Sequence, residues 1–189
     1  MSDQPLAAAE ETWLLKIARN VVEAAAKGLP EPDHHAGKYP KLQQHLGAFV
    51  TLHKRGQLRG CIGRFLPGEP VWQVVAQMAR AAAMEDTRFQ PVTESELDDI
   101  DIEISVLSPL VKTSDPLSLE LGVHGIYIKR GWQSGTFLPQ VAIEHNMTKQ
   151  EFLSSCCAHK AGLPPDAWKD PETEVYLYTA QILREKGTA

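Results

Sequence analysis

The stretch GAFVTLHKRGQLRGCIGRF, residues 47–65, decides how the chain is read. Two apolar runs, residues 48–52 and 58–62, flank Arg55-Gly56, and a two-residue loop ending in glycine turns one strand directly back on the next. The expected register sets Lys54 opposite Gln57, Leu52 opposite Arg59 and Val50 opposite Cys61. Because side chains alternate along a strand, Arg59, Cys61 and Gly63 then share one face of the second strand, and Leu58, Gly60 and Ile62 the other. A guanidinium beside a thiol, with Gly60 and Gly63 leaving room for a ligand or another backbone, is a site-like arrangement.

On the N-terminal side, residues 6–27 read as an amphipathic helix, with Leu6, Trp13, Leu14, Ile17, Val21 and Val22 at helical spacing. Asp3 and Pro5 suit its start and Gly28 its stop. Residues 29–41 form a proline-rich connector. Its His34-His35 pair lacks neighbouring ligands, so a solvated loop is the better reading and no metal site is expected.

On the C-terminal side, residues 69–85 read as a second helix with Pro70 in its first turn and Val71, Val74, Val75, Met78, Ala79 and Ala82 on one face. A loop at residues 86–91 leads to Thr93-Glu94-Ser95-Glu96, a capping box. Residues 100–107, IDIEISVL, alternate strictly: Ile100, Ile102, Ile104 and Val106 face one way, Asp101, Glu103 and Ser105 the other. Residues 110–122 are irregular and are expected to cross between lobes. Residues 125–129 and 136–138 read as a second hairpin around 131–135. Thr148 to Glu151 is a further capping box, opening a helix that Gly162 closes. A turn at 164–171 containing Trp168 leads to a final strand at 174–183. Hairpins mixed with helices imply an α+β class with mixed or largely antiparallel sheets and flanking helices.

A chain of 189 residues allows one domain or two closely joined lobes. With a net charge of -5 and acids and bases interspersed, there is no general attraction to phosphate backbones or anionic lipid, so neither nucleic acid nor membrane is an expected partner. No apolar run approaches the roughly 20 residues of a membrane helix, and the acidic start, MSDQPLAAAEE, is unlike an export signal. Three cysteines, two of them adjacent as Cys156-Cys157, make no disulfide framework. The expected location is therefore the reducing cytoplasm, with Cys61 a free thiol. Glycine-rich phosphate loops, dinucleotide fingerprints, HExxH and CxxC are absent, and the sequence names no cofactor.

LRGCIG at residues 58–63, DTRFQPV at 86–92, ELDDIDIEISVLSP at 96–109, HGIYI at 124–128, FLPQV at 137–141 and AGLPPDAW at 161–168 together resemble the AMMECR domain family. Bacterial members of that family are called AmmeMemoRadiSam system protein A. The motifs occur in order from about Leu14 to the last strand, so the likeness covers nearly the whole chain as a single domain. It implies a two-lobed α+β protein with a cleft between a larger and a smaller sheet, and association with a Memo-like protein and a radical S-adenosylmethionine enzyme. Nothing here resembles the three-cysteine cluster loop of such an enzyme, so the chain would be an accessory or separate component.

Two functional readings follow. In the first, the chain is a small-molecule enzyme: Arg59 holds an anionic group and favours the thiolate, Cys61 attacks, and His124 or Glu103 moves protons. Gly60 and Gly63 would contact the ligand, as would Gln140 and Glu144 at the loop end expected after the FLP turn. His53 is set aside because alternation places it with Leu58, unless a bulge shifts the register. Against this stand plainer roles: a packed Cys61, a structural His124 and a solvated Glu103. Asp86 and Arg88 are expected to form a structural ion pair, and Cys156 and Cys157 to be packing residues. In the second reading no chemistry occurs, and the motif is a recognition surface for a partner or for another enzyme's substrate.

Overall fold

The computed structural model describes residues 5–34 and 38–185. Asp3 and His35 lie outside the described residues. The chain divides into two units: Met1–Leu107 together with Gln181–Ala189, and Ser108–Ala180.

The first unit begins with α1 (Ala8–Ala26). Its apolar stripe, including Leu14, Ile17, Val21 and Val22, is buried as the periodicity requires. The hairpin follows as β1 (Ala48–Lys54) and β2 (Gln57–Arg64). Arg55 and Gly56 both have positive φ, 50° and 77°, which is the primed turn whose twist matches paired strands. Next come α2 (Val71–Met84), a 3-10 helix at Glu94–Asp99, and β3 (Ile100–Leu107). The sheet order is β2-β1-β3-β8, where β8 is Ala180–Arg184. β1 runs antiparallel to both β2 and β3. Both helices pack on one face, burying Val50, Leu52, Ile102 and Ile104 against Val74, Val75 and Ala79.

Strand β8 is tied back through Glu185, the residue after it, whose carboxylate accepts from the Ile102 N–H at 3.0 Å and from the Arg19 guanidinium. Arg19 also donates to the Ile100 carbonyl at 2.6 Å. One α1 side chain thereby fixes the final strand beside β3.

The second unit holds the sheet β4-β7-β5-β6, built from β4 (Val111–Thr113), β5 (Gly125–Arg130), β6 (Gln133–Phe137) and β7 (Glu174–Tyr178). Its pairings are antiparallel. It also contains α3 (Pro139–Glu144) and α4 (Lys149–Cys156), which runs on into a π-helical turn at Cys157–Ala161. Gly162, at φ 67°, ends it as expected. Cys156 and Cys157 are fully buried in this unit's core, and burial pushes the Cys156 thiol up to about 12.

The α+β class and the antiparallel pairing hold, with four local corrections. Residues 110–122 contribute β4 and a 3-10 turn at Pro116–Ser118 within the second unit. The second hairpin turns tightly at Gly131-Trp132, with Arg130 opposite Gln133. Gln140 and Glu144 lie on α3 and not in a loop. The expected final strand is two strands, β7 and β8, in different sheets, broken at Thr179.

Candidate functional site

The hairpin register differs from the expected one by a β-bulge. Lys54 pairs with Gln57 and His53 with Leu58, but Leu52 pairs with Gly60, leaving Arg59 without an opposite residue. Cys61 consequently faces Thr51 and not Val50, and Val50 faces Ile62. The reason lies in the core. Leu52 and Val50 are fully buried, so an unbulged hairpin would aim Arg59 into the apolar layer beneath the sheet. Absorbing one residue at Arg59 puts Gly60 there instead, where a Cβ would stand 2.2 Å from the Ala82 carbonyl oxygen of α2.

β2 is an edge strand, so its outward backbone groups need partners. For Cys61 they come from the loop after α2. The Cys61 N–H donates to Asp86 Oδ2 at 2.9 Å, and Arg88 Nη2 donates to the Cys61 carbonyl at 3.2 Å. Asp86 is buried and also accepts from Arg88 Nε at 2.9 Å and Nη2 at 2.6 Å. The Arg88 guanidinium holds the Asp86 carboxyl far below the usual carboxylate range, helped by the Cys61 and Arg88 N–H groups. The expected ion pair is thus real and also clamps the cysteine backbone from both sides.

With its backbone groups turned outward, Cys61 sits close across from Thr51. Thr51 Oγ1 lies 3.3 Å from Cys61 Sγ and donates to it. Cys61 is half-buried and forms no disulfide. On the other side of Thr51 is Glu103, whose carboxylate accepts from Arg184 Nε at 2.6 Å. Cys61, Thr51, Glu103 and Arg184 therefore form one row across the sheet face opposite the helices. Glu103 stands two strand spacings, roughly 10 Å, from the thiol, and its partner is Arg184, not Arg59.

Arg59 does not serve the thiol as expected. Its Nε and Nη2 grip Glu96 at 3.0 and 3.1 Å, and Nη2 reaches the Pro91 carbonyl at 3.4 Å. Lys54 Nζ joins the same carboxylate at 2.9 Å. Glu96 also closes its capping box, accepting from the Thr93 N–H at 3.0 Å, and the Arg59 guanidinium first of all holds its acid form off to unusually low pH. A cation engaged bidentately by a largely buried carboxylate is spent on structure. The two glycines are also occupied: Gly60 admits the α2 backbone, and Gly63 underlies the Phe49 ring, 2.1 Å from where its Cβ would be.

The AMMECR1 family profile matches residues 15–183. The chain belongs to the AMMECR1 family. A relative from Methanothermobacter thermautotrophicus is 44% identical, over 99% of this chain and 100% of its own. One from Nanoarchaeum equitans is 45% identical over 91% and 98%. The crystal structure of the uncharacterized protein PH0010 from Pyrococcus horikoshii superposes with a TM-score of 0.81 at 36% identity, covering 93% of this chain and 92% of that one.

In this AMMECR1 chain the remaining expected site residues belong to the second unit. His124 precedes β5, and its Nδ1 accepts the Glu120 N–H at 2.9 Å, a local turn contact. Gln140 is half-buried and Glu144 exposed at the end of α3. Sequence reasoning missed Thr51, the clamp role of Asp86 and Arg88, and the second duty of Glu96. The signal for the clamp was the DTRF segment itself: an acid and a base two residues apart after a helix, beside a strand with an unprotected edge.

Proposed function

We propose that the first unit of this AMMECR1 chain carries a thiol site for a small electrophilic molecule, with Cys61 as nucleophile. The observation that carries it is the immobilised cysteine: backbone fixed by Asp86 and Arg88, sulfur met by a threonine hydroxyl. A hydroxyl donating to sulfur is the contact a thiolate uses, and a fixed backbone removes the entropy of positioning. In the reaction Sγ gives up its proton and attacks an electrophilic carbon. With an acyl compound as the electrophile, a thioester forms as the leaving group departs with the bonding pair and takes up the proton lost from Sγ; water then attacks the thioester carbonyl, releasing a carboxylic acid and returning its proton to the thiol. All three cysteines are free, which agrees with a reducing cytoplasm, and no described helix is long and apolar enough to cross a membrane.

Alkylation with iodoacetamide at neutral pH, followed by peptide mass spectrometry, tests this reading. Cys61 should label at least about tenfold faster than glutathione, while the buried Cys156 and Cys157 stay unlabelled in the folded chain. Thr51→Val should slow Cys61 labelling several-fold without changing the fold. Labelling of Cys61 no faster than glutathione would remove the nucleophilic role.

A second reading rests on Leu58, which opens the LRGCIG motif, and Leu66, three residues past its end, 44% and 65% exposed. Two exposed leucines on either side of Cys61 in the chain would suit an accessory protein that docks on a Memo-like protein or a radical S-adenosylmethionine enzyme. Co-purification with either at mild salt, lost in Leu58→Ser/Leu66→Ser, supports it; absence of both complexes counts against it.

A further inference from the structure

The bulge that moves Cys61 opposite Thr51 also changes which imidazole it shares a face with. Thr51 and His53 are two residues apart on the regular strand β1, so their side chains leave the same face. The Thr51 to Cys61 hydrogen bond puts the sulfur on that face too. His53 is therefore the diagonal neighbour of Cys61, at a spacing of roughly 7 Å between Cβ atoms, which aromatic side chains bridge. Directly across β3, His53 faces Asp101. The order across the sheet is thiol, imidazole, carboxylate, which is the order of groups a thiol nucleophile requires.

We infer that His53 is the proton acceptor for Cys61 and Asp101 its positioning residue, an assignment that rests on the thiol reading above. The Sγ–H proton passes to one imidazole nitrogen as the C–S bond forms, while Asp101 fixes the ring through the other and balances the imidazolium charge. Among the described residues, the neighbouring strands set these groups around His53. From β2 they are Leu58 opposite and Cys61 diagonally. From β3 they are Asp101 opposite and Glu103 diagonally, the latter neutralised by Arg184. Along its own strand stands Thr51, and in the adjoining turn Arg55 is held by Asp99 at 2.8 Å. His53 is half-buried and Asp101 exposed, so both are open to a ligand lying on this face.

The experiment is the pH dependence of Cys61 alkylation by iodoacetamide in the full chain, comparing wild type, His53→Gln and Asp101→Asn, with thermal melts confirming that each variant is folded. In wild type the rate should rise with pH through an inflection set by the group that takes the Sγ–H proton. His53→Gln should lose that inflection and slow labelling about tenfold at pH 7. Asp101→Asn should alter that profile and slow labelling less. A fast wild-type Cys61 whose rate and profile are unchanged in folded His53→Gln would overturn the assignment while leaving the thiol reading intact. A wild-type Cys61 no faster than glutathione would bring down both. Loss of the inflection in His53→Gln with no change in Asp101→Asn would remove Asp101 alone.

Discussion

Replacing Gly60 with alanine is expected to destabilise the first unit by about 3 kcal/mol, a fall of roughly 6–12 °C in Tm for a chain of this size. The added Cβ would stand 2.2 Å from the Ala82 carbonyl oxygen and 3.2 Å from its carbon. Both are backbone atoms of α2, which cannot rotate aside as a side chain can. Relief requires the helix to lift from the sheet, opening the packing of Val75, Ala79 and Ala82 over Leu52. The alternative, deleting the bulge, returns Arg59 to the buried face. Gly68, where a Cβ meets nothing within 4 Å, is the control, and Gly68→Ala should melt with wild type. Denaturant melts of the three proteins decide it; equal midpoints for Gly60→Ala and Gly68→Ala would show that α2 is not seated on Gly60.

That glycine also shows where sequence reading stopped. The strands were legible because alternation and a turn dipeptide are local signals, and IDIEISVL folds as β3 over the expected span. The bulge was not legible, because what forces it is a contact between Gly60 on β2 and Ala82, 22 residues further along in α2. Glu96 was correctly read as a capping-box acid, yet its larger partner, Arg59, is 37 residues away. Arg59 looked available because nothing near it in sequence could neutralise it. The break between β7 and β8 was hidden for a related reason: EVYLYTAQILR is one uninterrupted β-prone run, and only the pairing of its two halves with different sheets divides it. The error at the site followed from the error in register, since a one-residue slip exchanged Thr51 and His53 for Val50 and Arg59 as companions of the thiol.

Asp86→Asn is expected to cost about 2 kcal/mol at neutral pH, a cost that should shrink as the solution is acidified. The buried Asp86 carboxylate is the shared acceptor for the Cys61 N–H and the Arg88 guanidinium. Asparagine keeps one acceptor oxygen, so the fold survives, but it loses the charge that holds Arg88 in place. The sign of the pH effect follows from the folded carboxyl lying below its unfolded value of about 3.9. Such a group contributes its full stabilisation above the unfolded pKa and loses it as pH falls toward the folded one, at up to about 1.4 kcal/mol per pH unit. Wild type should therefore lose stability steeply below about pH 4, with Glu96 adding a slope of the same sign. In Asp86→Asn the Glu96 part persists and the Asp86 part is gone, so the two curves of unfolding free energy against pH converge. Urea melts from pH 7 down to pH 3 read this directly. A gap between the variants that stayed constant over that range would mean that the Asp86 charge does not hold the cysteine strand, and Cys61 would lose the clamp on which its chemistry depends.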